Sequence, residues 1–171
     1  MHPAVTSLAA ILRLNTELLL NCLDDLDDEA AQHRGTPTTN NIAFLVTHLI
    51  DSRHFMAELL GAPRPSPFSP AIARARCLDD VPELPSLTEL ADRWEAISAH
   101  VAVHVERLDT AQLARAARAL PGSDGTLLGN LAFLAQHESY HLGQIALLRR
   151  QLGLPAMSYT LRPREPGRLG A

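Results

Sequence analysis

The sequence predicts an all-α fold: a four-helix bundle in up-down-down-up order with a long Pro-rich crossover between helices 2 and 3. Three observations carry this. Apolar residues recur at helical spacing in four segments, no run of β-branched residues alternates with polar ones, and one proline-rich stretch separates the two middle segments. A crossover of about 25 residues can travel the roughly 30 Å of a long helix, which lets helices 2 and 3 run parallel, whereas short connections favour antiparallel neighbours. A chain of 171 residues suits one domain with a single core.

The first helix is expected from about Val5 to Leu26, with Leu8, Leu12, Asn15, Leu19 and Cys22 on one stripe, ending in the acidic DDLDDE run. Acidic residues oppose the helix dipole at that end, so it should fray. The second helix should be capped by Thr39 or Asn40 and carry Leu45, His48, Leu49, Ser52, Phe55, Met56 and Leu59 to a stop at Gly61. The crossover runs from Ala62 to about Ser86 and carries Pro63, Pro65, Pro67, Pro70, Pro82 and Pro85, which disfavour a regular long helix. The third helix, Leu87 to Leu108, aligns Leu90, Trp94, Ile97, Val101 and Val105. A PGSDG turn precedes the fourth helix, Thr126 to about Leu152, closed by Gly153 and Pro155. Beyond Ser158 a Pro/Arg/Gly-rich tail (159–171) reads as loosely held.

Composition excludes several functions. Nineteen acidic residues face fifteen basic ones, for a net charge of −4, which disfavours nucleic acid as a partner. Every basic residue is Arg, so Walker-type phosphate loops and Schiff-base chemistry, both of which require lysine, are excluded. No uninterrupted apolar run approaches the roughly 20 residues that cross a bilayer, so no membrane partner is expected. Cys22 and Cys77 stand far apart outside any CxxC pattern, which points to a reducing cytoplasm.

Among eight histidines, the face each occupies is what matters. His137 and His141 are one helical turn apart within the stripe Leu127, Asn130, Leu134, His137, His141, Ile145, Leu148, Leu152, so both rings aim toward the bundle interior. Burying two imidazoles without partners is costly, and one metal ion satisfies both. His48, on the apolar stripe of helix 2, supplies a third ligand if the core brings it opposite helix 4. Three imidazoles with open positions form the pattern of a catalytic site. The competing pair His100 and His104 lies at the edge of its stripe, and His2, His33 and His54 read as surface residues. Residues 137 to 141 also match the HExxH pattern of zinc proteases, with Glu138 as general base. The only acidic residue downstream is Glu165, in the Pro-rich tail, so the context of that motif is missing.

The segments NIAFLVTHLIDSRHFMAELLG and TLLGNLAFLAQHESYHLGQIALLRRQLGLP resemble the DinB-like family of metalloenzymes. The helix-two histidine and HxxxHxGQ signature of that family match His48, His137, His141, Gly143 and Gln144. The resemblance is specific at these segments and diffuse elsewhere. It implies a four-helix bundle, commonly a homodimer, with a divalent metal on His48, His137 and His141. Characterised members look like thiol-dependent transferases or isomerases that use mycothiol, bacillithiol or glutathione, and many members have no assigned reaction.

A bound divalent ion, with zinc or nickel favoured, lowers the pKa of a coordinated water or thiol. Glu138 is then a candidate proton acceptor or a partner of a ligand imidazole, and Gln144, just after His141, a hydrogen-bond partner outside the coordination sphere. Both also have structural readings: a solvated or interface carboxylate for Glu138, an interhelical hydrogen bond for Gln144. The resemblance implies a metal-dependent enzyme, a thiol-dependent S-transferase or isomerase that activates a low-molecular-weight thiol or water toward a small-molecule substrate. The alternatives are a non-catalytic metal- or ligand-binding bundle and, behind it, an HExxH hydrolase. A second apolar stripe on helix 4, Phe133, Tyr140 and Leu147, fits either a homodimer interface or packing within one subunit.

Overall fold

The computed structural model describes residues 2–68, 70, 75, 77–81 and 83–161. The described residues form six α-helices and no strand longer than an isolated bridge between Ala116 and Thr126. Four helices are long: α1 (Pro3–Leu23), α3 (Ile42–Leu59), α4 (Leu87–Val105) and α6 (Leu127–Gln151). Two are short, α2 (Asp28–Gln32) and α5 (Thr110–Leu113), and the crossover carries a 3-10 turn at Leu78–Asp80.

Each of α1 and α3 packs against both α4 and α6. Cross-links along these seams give the direction of each pair. Asn15 meets Glu138 while Arg149 reaches the Cys22 carbonyl, so α1 and α6 run in the same sense. The Trp94 indole donates to the Thr16 carbonyl and the Leu87 amide to Asp28, so α4 runs against α1. Arg115, shortly before α6, donates to the Leu59 carbonyl at the end of α3, while His48 lies beside His137, so α3 and α6 are antiparallel. The core between them is built from Leu12, Leu19, Leu49, Met56, Trp94, Ile97, Leu131 and Ile145, all buried as the helical stripes require.

Several boundaries differ from expectation. α1 stops at Leu23 rather than Leu26, because the acidic run does better as the start of a helix than as the end of one. Asp27 caps α2 by accepting from the Ala30 amide, and Asp28 and Glu29 occupy its first turn, where the dipole favours them. Asn41, not Thr39 or Asn40, caps α3, accepting from the Phe44 amide at 2.8 Å and donating to the Gln32 carbonyl at 3.0 Å. Asn40 instead accepts from the Leu78 amide. The stop at Gly61 holds: its φ of 76° lets the amides of Gly61 and Ala62 bond back to Glu58 and Ala57. α4 ends at Val105 because Asp109 and Gln112 form a reciprocal capping box that opens α5.

By length and composition α1 passes as a membrane-crossing helix, although polar residues interrupt it. Here its stripe from Val5 to Cys22 is buried in the protein core, with Asn15 and Asn21 hydrogen-bonded inside. The tail is held further than expected. The Asn21 amide donates to the Ser158 carbonyl at 2.7 Å and the Thr160 carbonyl at 3.0 Å. Arg149, buried, bonds the Pro155, Cys22 and Asp24 carbonyls, closing the orphan C-terminal carbonyls of α1. The rest of the expected tail, 162–171, lies outside the described residues.

Candidate metal centre

The antiparallel packing of α3 on α6 sets His48 against the pair His137 and His141. The Nε2 atoms of His48 and His137 are 3.2 Å apart, and those of His137 and His141 3.0 Å apart. One nitrogen from each ring lies within 4.8 Å of the other two. Two imidazoles bound to one ion at about 2.0–2.1 Å, with an angle between tetrahedral and square, would have nitrogens about 2.8–3.4 Å apart. The observed separations fall in that range, so the donor set fits a divalent cation. The rings meet edge to face, at interplanar angles of 70°, 79° and 81°.

Electrostatics keep these donors neutral. Burial, reinforced by the neighbouring His137 and His141, holds His48 down to about 4, against a small opposing effect of Asp51. Burial also lowers His137 and His141, with His141 adding to the effect on His137, Glu138 opposing it, and Gln144 opposing the shift of His141. Neutral imidazole is the form that binds a cation, so the lone pairs are available at pH 7. The His141 Nδ1–H donates to Gln144 Oε1 at 2.6 Å, which fixes its tautomer and leaves Nε2 as the lone-pair nitrogen. His137 Nδ1 is buried without a hydrogen-bond partner among the described residues, its ring stacked on Phe133 at 6.0 Å.

Glu138 does not join this centre. It is neither solvated nor at a surface: its carboxylate is 1% exposed and forms a two-pronged pair with Arg53, itself 1% exposed. Arg53 Nε donates to Oε1 at 2.8 Å and a terminal nitrogen to Oε2 at 3.0 Å, while the Asn15 amide donates to Oε2 at 3.1 Å. Next to His137 in sequence, Glu138 projects about 100° around α6 into the core. A carboxylate so engaged does not present itself as the HExxH general base, and the third imidazole comes from upstream. Glu165 lies outside the described residues. Sequence reasoning passed over Arg53. Its signal was a charge within the apolar stripe Leu49, Arg53, Met56, matched by the opposite charge of Glu138 between Leu134 and Leu142.

The other histidines serve local structure. His100 bonds the Ala62 carbonyl and His54 the Arg64 carbonyl, pinning the start of the crossover. His104 bonds the His100 carbonyl. His2, expected as plain surface, caps α1 by accepting from the Ala4 amide, and His33 is exposed at the end of α2. Around the centre, Tyr140 sets its ring edge to His141 at 5.1 Å and remains 59% exposed, as does Leu147. Phe133 is half-buried and Phe55, expected on the buried stripe of α3, is exposed.

Residues 11–145 match the family model described as the DinB superfamily. A conserved protein from Enterococcus faecalis, known from a crystal structure, has the same fold, with a TM-score of 0.73 at 14% identity over 88% of this chain and 97% of that one. No curated protein matches. The family match covers most of the chain and includes all three clustered histidines, and the chain belongs to the DinB superfamily.

Proposed function

We propose that this protein is a metal-dependent enzyme that activates a low-molecular-weight thiol, or water, for transfer to or isomerisation of a small electrophilic substrate. The observation that carries the reading is the convergence of three neutral imidazoles, His48, His137 and His141, with Nε2 separations that suit one divalent cation. Their support is an up-down-down-up four-helix bundle, which we infer from the directions of the helix seams. When bound there, the ion would acidify a coordinated thiol or water and supply a nucleophile near neutral pH.

The residues of the chain do the rest. His48, His137 and His141 would hold the ion, and three-ligand sites of this kind serve catalysis. Gln144 orients His141 through the 2.6 Å hydrogen bond. We assign no proton transfer to Glu138, whose carboxylate is occupied by Arg53 and Asn15. Zinc and nickel are the cations we assign first, since imidazole suits both. The same histidines would serve a metal-binding bundle without turnover, which is the second reading. The exposed Tyr140 and Leu147 are the face we assign to a homodimer. The free thiols Cys22 and Cys77 are consistent with the reducing cytoplasm as its compartment.

The test is to purify the protein without a histidine tag, measure bound metal, and incubate the loaded form with glutathione, mycothiol or bacillithiol and a panel of electrophiles. Stoichiometric metal with turnover that disappears in His48→Ala supports the enzyme. Metal without turnover supports the binder, and no metal in the wild type overturns both. A molecular mass measured by light scattering checks the dimer.

A further inference from the structure

The ion pair Arg53–Glu138 joins the same two helices that carry the three imidazoles. Arg53 follows His48 by five residues on α3, and Glu138 adjoins His137 on α6. All four long helices converge on it. From α1, the Thr16 hydroxyl accepts from Arg53 at 2.8 Å, the Leu12 carbonyl accepts at 3.0 Å, and the Asn15 amide bonds both Glu138 and the Ala135 carbonyl. From α4, the Trp94 ring covers the guanidinium carbon at 3.9 Å. Almost all of the donors and acceptors of the pair are therefore engaged, and both side chains are only 1% exposed.

An apolar seam between two helices tolerates sliding, because one leucine replaces another in the same groove. A two-pronged charge pair does not, since a slip of one residue, about 1.5 Å along the axis, breaks both prongs inside the core. A metal site tolerates ligand displacements of only about 0.2 Å. The register of α3 on α6 is thus the quantity that the centre depends on most, and the pair is placed where it fixes that quantity.

We propose that Arg53 and Glu138 are positioning residues of the centre, locking α3 and α6 in the one register that keeps His48 Nε2 3.2 Å from His137 Nε2. The proposal rests on the metal reading for its purpose, while the register itself can be examined without metal. It also gives the Glu of the His-Glu-Ser-Tyr-His run, residues 137–141, a role other than proton transfer.

The experiment uses full-length Arg53→Met/Glu138→Leu, in which an apolar pair of similar volume replaces the ions, beside Glu138→Gln, which keeps shape and drops charge. In metal-free protein, proton–proton contacts between the His48 and His137 rings are read by NMR. Zinc affinity is measured by competition with a chromophoric chelator, and the cobalt-loaded protein by visible absorption. Expected are helical content and cooperative unfolding like those of the wild type in the double variant, loss or weakening of the ring contacts, zinc affinity down tenfold or more, and an altered cobalt spectrum. Glu138→Gln should follow with a smaller loss, about threefold. Ring contacts, zinc affinity and cobalt spectrum all unchanged in the double variant overturn the proposal, and if that variant does not fold, the same result in Glu138→Gln overturns it. A wild type that binds neither zinc nor cobalt counts against the metal reading, and the metal-free ring contacts still decide the register.

Discussion

Replacing Gln144 by leucine tests how the centre is oriented rather than how it is built. The side chain is half-buried and its Oε1 accepts from His141 Nδ1–H at 2.6 Å. Leucine keeps the volume and removes the acceptor, so the ring loses the contact that selects its tautomer and angle. A hydrogen bond of this kind contributes about 1 kcal/mol to stability, and a half-buried donor left unpaired costs about as much again. Loss of an outer partner to a metal-bound imidazole typically weakens metal affinity by about 10–100-fold, or about 1.4–2.8 kcal/mol. The metal-free protein should lose less than the loaded one, since tautomer choice matters to the lone pair more than to packing. Zinc titration in the presence of a competing chelator measures the affinity, and urea unfolding of the metal-free protein measures the remainder. Gln144→Glu, which restores an acceptor and adds charge, should recover or exceed wild-type affinity. Wild-type affinity in Gln144→Leu, or equal losses with and without metal, would refute the orienting role.

Further expectations follow from the same geometry. Glu138→Ala leaves Arg53 charged and unpaired in the core and should cost about 3–5 kcal/mol, lowering Tm by roughly 6–20 °C for a domain of this size; a calorimetric loss of 1 °C or less would show that the pair is solvated. Glu89→Ala, on the exposed i,i+4 pair with Arg93, should change stability by no more than about 0.5 kcal/mol in the same measurement. Zinc at a hundred times its Kd should stabilise the wild type by about 2.7 kcal/mol, raising Tm by about 5–11 °C, with the shift abolished in His137→Ala; an equal shift in that variant would place the ion elsewhere. Burial pushes the Cys22 thiol up to about 11 from 9.0, so the native chain should resist alkylation there at pH 8. The folded state then holds a proton that the unfolded chain releases near pH 9, so this thiol costs stability as pH rises from 9 to 11, and Cys22→Ala should flatten that decline.

Much of the centre was legible because helical periodicity is local. The spacing of His137 and His141 places both on one face of α6 whatever surrounds the helix, and His48 on a stripe with Leu45 and Leu49 announces a polar group near the core. Less legible were features decided by competition between neighbouring caps: Asn41 displaced Asn40, and Asp27 turned the expected fraying end of α1 into a new helix. Phe55 fits the apolar pattern of α3, yet it stands 38% exposed.

By itself, the sequence determined the helical class, the four long segments, the proline-rich crossover and the identity of the three imidazoles, since each follows from spacing and composition within a few turns of chain. The tertiary structure decided where Glu138 points. Its place between His137 and Ser139 is compatible with a base, a surface charge or a buried counterion, and only the arrival of Arg53 and Asn15 from two other helices selects the last. Long-range charge pairing of this kind has no periodic signature along the chain, because its energy depends on which helices become neighbours and in what register.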